Sequence, residues 1–143
     1  MHDLNKLYFL LCALIISMSS MASNEEVFER ANSGVVLITG DEGFGSGALI
    51  SSQGHILTNW HVVEGTEKLE VALHREYDLG DDIQKYFFEA TVIKVNLEKD
   101  LALIKIINPP KDLNVLRISQ VIPPIGSQVH AIGHPNTEFW SYT

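Results

Sequence analysis

Hydrophobic positions recur along this chain in two rhythms. Between residues 35 and 107 they form short runs of apolar and β-branched residues, at 35–39, 46–51, 55–58, 69–74, 87–95 and 101–107, with turn formers between them. Six short strands in about 73 residues predict an all-β barrel or sandwich. In 69–74 the residues Leu69, Val71 and Leu73 alternate with Glu70 and His74, the mark of a half-exposed strand. The run Leu101 to Ile107 is more continuously apolar and predicts a central strand covered on both sides, with Lys105 needing a route to solvent. Residues 24–31, NEEVFERA, show helical spacing instead. Asn24 suits the cap, Glu25 and Glu26 the first turn, and Val27 and Phe28 the inward face, so a short helix covers one end of the fold.

The segment 75–85, REYDLGDDIQK, has no strand pattern and reads as an exposed loop. Two double prolines, in INPPKDLN and VIPPIG, then mark a linker. Beyond it SQVHAIG begins another alternating strand, and the last residues, EFWSYT, are strand-like with no stop signal. The pattern is that of a second unit only begun. No internal repeat is visible.

The first 22 residues differ from the rest. Lys6 precedes ten apolar residues, Leu7 to Ile16, and Ser20 and Ala22 stand at small-residue cleavage positions. This predicts a signal peptide cut after Ala22 and an exported chain, periplasmic or secreted. The run falls short of the roughly 20 residues a membrane helix needs. An uncleaved anchor is the alternative, and after cleavage no stable membrane insertion is expected. The lone cysteine, Cys12, leaves with the signal, so the mature chain has neither disulfide nor thiol nucleophile. Cleavage leaves 9 basic against 17 acidic residues, and an acidic surface with no basic cluster excludes nucleic acid as the expected partner.

GFGSGA, residues 43–48, loosely matches a dinucleotide-binding glycine pattern. Phosphate binding needs the glycines to open a helix. Here LISSQGHILT follows, a short strand, a turn and another strand, so no cofactor is expected. The glycines read as strand positions that let another backbone come close, leading into a hairpin that closes at Gly54. Ser46 reads as structural.

His61 falls in TNWHVV, where a strand breaks into a turn that Thr58 is suited to cap and Gly65 to end. Two strand crossings later the chain returns to the same end of the barrel at Asp100, which follows a turn and precedes LALIKI. A carboxylate drawn to the rim of an apolar core needs a hydrogen-bond donor, and an imidazole N–H is one. In a serine hydrolase such an acid fixes the tautomer of the base. The topology allows this pairing without requiring it, and a lone histidine is more often a satisfied, partly buried ring. His55 and His74 read as solvent-facing at strand ends, His130 as a strand position and His134 as a turn residue. Their spacing suits no metal.

GFGSGALISSQGHILTNWHVV, DLALIKI and IGSQVHAIGHP, in this order, resemble the trypsin-like serine peptidases of the chymotrypsin fold, closest to the disulfide-free bacterial HtrA/Deg branch. The likeness spans roughly residues 27 to 143. It implies a two-barrel fold with the active site between barrels, polypeptide substrates, His61 as general base and Asp100 as its orienting acid. On this reading 1–22 is the signal, 23–118 the N-terminal barrel, and 119–143 a linker with the start of a truncated second barrel. The sequence departs from the family in one respect. The nucleophile's Gly-Xaa-Ser-Gly-Gly does not occur, and Ser119, Ser127 and Ser141 lack such glycines. The expected function is therefore a serine endopeptidase of which this chain carries the His and Asp but not the Ser. The alternative is a non-catalytic secreted module that keeps the barrel and binds through its strand edges or crevice.

Overall fold

The computed structural model describes residues 23–41, 43–74, 86–135 and 141–143; the predicted signal peptide and the loop 75–85 lie outside them. Helix α1 (Asn24–Ala31) is followed by a 3₁₀ turn and strand β1 (Val35–Thr39). Strands β2 (Phe44–Leu49), β3 (His55–Thr58), β4 (Glu70–Leu73), β5 (Phe87–Asn96) and β6 (Leu101–Ile106) complete a closed antiparallel barrel in the order β1-β2-β3-β6-β5-β4. Two short strands, β7 (Ile132–Gly133) and β8 (Ser141–Tyr142), form a separate pair.

The barrel closes around apolar side chains that β1, β2, β3, β4 and β6 turn inward, with Phe88 and Ala90 of β5 packed half-buried against them. Val36, Ile38, Leu49, Ile56, Val71, Ile104 and Ile106 are fully buried. Each such side chain contributes about 2 kcal/mol through burial alone. The glycines of β2 serve this packing. A Cβ on Gly47 would stand 2.6 Å from Ile56 and 2.8 Å from Ile38, so Gly47 makes room for side chains, where the sequence predicted a close backbone. The hairpin from β2 to β3 does turn at Gly54, whose φ of +82° is open to glycine and strained for other residues.

Several elements differ from expectation for local reasons. The cap of α1 is Ser23, whose hydroxyl accepts the Glu26 N–H; Asn24 is already helical. Val27 and Phe28 are half-buried, and the Phe28 and Tyr142 rings form a T-shaped pair with centroids 5.7 Å apart. Strand β6 alternates buried and half-buried positions and is not covered on both sides. Burial on both faces falls on β1, where Val36 and Ile38 face the core while Val35 and Leu37 are buried on the outside as β1 meets β7, and extends to Ala72 of β4 beside Leu37. Strand β5 shifts register between Val92 and Lys94, a bulge that bends it around the barrel. SQVHAIG contributes only Ile132 and Gly133 to a strand, and His130 lies before it, 5.4 Å from the Tyr142 ring and stacked on it.

Candidate active site

His61 sits in a single 3₁₀ turn, Trp60–Val62, directly after β3. Its neighbours anchor it: Trp60 and Val62 pack against the barrel core and Val63 joins it, which leaves His61 pointing outward. Gly45 makes that turn possible. A Cβ there would stand 2.6 Å from the Val62 side chain, so a larger residue in β2 would push the histidine-bearing turn away. Thr58 does not cap the turn. Its hydroxyl donates to the Ser46 carbonyl at 2.7 Å and extends the β2–β3 ladder past its last backbone pair. Gly65, with φ +70°, follows where the turn ends.

Asp100 does the capping instead. It closes the turn between β5 and β6 in a left-handed conformation, φ +49°, which an L-residue adopts at a cost. Its carbonyl accepts the Trp60 N–H at 3.2 Å and its Oδ1 the His61 N–H at 2.9 Å. Two amides of the short turn, which have no partner within it, are thus satisfied by one residue of a distant hairpin. The Oδ2 of Asp100 lies 2.6 Å from His61 Nδ1, and the Asn59 amide lies 3.2 Å from the same oxygen.

The expected burial of this carboxylate is not found. The Asp100 side chain is 43% exposed and that of His61 68% exposed. The pairing comes from hydrogen-bond geometry and not from the cost of a buried charge. The backbone N–H of His61, then its imidazole, hold the Asp100 carboxyl below its ordinary range. An ionised carboxylate only accepts, so Nδ1 carries the proton and Nε2 keeps its lone pair. The arrangement gives an exposed imidazole of fixed tautomer, oriented by an acid and able to take up a proton at Nε2. Beside it opens a cleft of about 460 Å³, lined by Gly45, Asn59, His61, Val62, Glu64 and Thr66.

The other histidines are more enclosed than the sequence suggested. His55 and His74 are half-buried, and His55 Nδ1 lies 2.7 Å from the Ser51 hydroxyl. His134 is buried, its N–H donating to Ser46 Oγ at 2.8 Å and its Nδ1 lying 3.2 Å from the same oxygen. Burial, with the nearby His74 charge, pushes its imidazole down to about 4. Ser46 thus ties the first barrel to the segment at β7, in keeping with a structural role. The sequence predicted a close approach at Gly45 but not its neighbour, the Val62 side chain, and did not single out Asn59. The glycine left a signal, since an interior strand glycine marks a close approach; Asn59 left none.

Residues 45–142 match the trypsin-like peptidase domain family. The chain is 50% identical over 62 residues to a probable periplasmic serine endoprotease, DegP-like, of Chlamydia pneumoniae, a match covering 43% of this chain and 11% of that protein. It is 32% identical over 97 residues to the periplasmic pH-dependent serine endoprotease DegQ of Escherichia coli, covering 66% of this chain and 19% of the relative. The solved structure of a serine endoprotease from Yersinia pestis superposes with a TM-score of 0.72 at 30% identity, over 85% of this chain and 43% of the other. The chain thus spans about a fifth or less of these two curated relatives and under half of the solved one. With the closed barrel, the match over 45–142 and these likenesses taken together, this chain belongs to the trypsin-like peptidase family, among relatives of the HtrA/Deg type.

Proposed function

We propose that these residues form the base- and acid-bearing part of an exported serine endopeptidase that cleaves polypeptides, periplasmic or secreted. The observation that carries this reading is the 2.6 Å contact between His61 Nδ1 and Asp100 Oδ2 on a side chain that is otherwise largely exposed. Residues 1–22 are the signal, 23–118 the barrel, and 119–143 the linker and entry to a second barrel. The 143 residues hold no Gly-Xaa-Ser-Gly-Gly, so the nucleophile comes from outside them.

In the reaction the serine oxygen attacks the peptide carbonyl carbon while its proton passes to His61 Nε2. The imidazolium, held by Asp100, then gives that proton to the leaving amine. Water repeats the sequence on the acyl-enzyme and frees the serine. The test is peptide hydrolysis by the polypeptide that joins these residues to a serine-bearing second barrel. His61→Ala is expected to lower turnover by about 1,000-fold or more, with Asp100→Ala also strongly impaired. Hydrolysis that survives His61→Ala would overturn the assignment.

A further inference from the structure

Asn59 stands immediately before the turn that carries His61, in an extended conformation, and makes no side-chain bond to that turn. Its carboxamide reaches across to Asp100 instead, lying 3.0 Å from the carbonyl oxygen and 3.2 Å from Oδ2. The two acceptors belong to the main chain and the side chain of one residue, so a single amide restrains the torsions between them. An exposed aspartate at a turn has three staggered χ1 rotamers. In the observed one, Oδ1 meets the His61 N–H while Oδ2 meets Nδ1. The Asn59 amide donates to Oδ2 in the same rotamer.

We propose that Asn59 is a positioning residue for the His61–Asp100 pair, holding the carboxylate in the orientation that serves both N–H groups of His61. The catalytic meaning of this role rests on the proposed function; the grip itself does not. The chemistry requires a neutral donor at this position. Leucine has nearly the same size and no donor, and aspartate would set a second negative charge against the first.

The test uses nuclear magnetic resonance on the 143-residue chain and its Asn59→Leu and Asn59→Asp variants. The readouts are the carboxyl titration of Asp100 and the His61 Nδ1 proton resonance, neither of which a general loss of packing would move selectively. Asn59→Leu is expected to shift the Asp100 titration upward and to broaden or remove the Nδ1 proton signal through faster exchange. Asn59→Asp is expected to shift the titration further the same way. Because Asn59 is exposed, the remaining amide spectrum should stay native. Unchanged titration and Nδ1 signals in Asn59→Leu would overturn the proposal. So would their loss together with the whole folded spectrum, since Asn59 would then be general support. A peptidase indifferent to His61→Ala would remove the catalytic reading yet leave these signals intact, so the two failures are distinguishable.

Discussion

Replacing Gly47 by alanine tests whether the glycines of β2 exist for side-chain packing. Gly47 has an ordinary backbone, so the substitution brings no left-handed strain and its effect is one of space alone. The new Cβ would meet Ile56 Cγ2 at 2.6 Å, Ile38 Cδ1 at 2.8 Å and Val36 Cγ2 at 3.2 Å, all on side chains with no exposed surface. Two of these atoms are β-branch methyls, which cannot turn away without leaving their rotamer. Overpacking of this kind costs about 1–3 kcal/mol, and three contacts on a closed barrel place Gly47→Ala near the upper end. For a domain of this size that lowers the melting temperature by roughly 10 °C or more. The assay is urea and thermal unfolding followed by circular dichroism, with Gly43→Ala as the control, since nothing lies within 4 Å of a Cβ there. Ile38→Val removes Cδ1 and should recover part of the loss when combined with Gly47→Ala, a non-additivity that a double-mutant cycle measures. A Gly47→Ala chain as stable as Gly43→Ala, within about 0.5 kcal/mol, would refute the packing argument.

Two further outcomes follow from the geometry. Gly54→Ala, at φ +82° and with Pro109 and Ile106 carbons 3.0 and 3.1 Å from the new Cβ, should cost about 1–2 kcal/mol. It should cost more than Gly65→Ala, at φ +70° in open space, and equal losses in urea unfolding would show that the contacts contribute nothing. The second concerns pH. The imidazole of His134 lies near 4 when folded against 6.5 in its ordinary state, so between those values the unfolded chain binds more protons. The associated stability is fully present above about pH 6.5 and declines as pH falls toward 4, by up to about 1.4 kcal/mol per unit. Urea midpoints at pH 7, 5.5 and 4.5 should therefore fall less steeply in His134→Asn; parallel declines in the two proteins would refute the assignment to His134.

The sequence was most legible where a side-chain rhythm repeats. Six strands were readable as short apolar and β-branched runs between turn formers, because strands that share a core need apolar side chains to place against it. Their ends were read less well, since β2 begins at Phe44, two residues before the expected start, across Gly45, which carries no hydrophobic signal. The misreading of β6 has the same root. Apolar residues on both faces of Leu101–Ile106 suggested double cover, but which strand is covered outside depends on where β7 lands, and β7 lands on β1.

Sequence alone determined the all-β class, the helix before it, the hairpin turn at Gly54 and, through three separated motifs, the family resemblance that named His61 and Asp100. The first three are consequences of local propensity and spacing, whereas the roles of His61 and Asp100 were implied only by the resemblance. Tertiary structure decided how the two residues meet. The barrel brings together residues 39 positions apart, sets Asp100 in a left-handed turn so that its carbonyl and carboxylate cap the His61 turn, and leaves the pair half-open to solvent instead of buried. No periodicity encodes those distances, because they arise from strand closure, from the room that Gly45 leaves for Val62, and from the amide that Asn59 lays across Asp100.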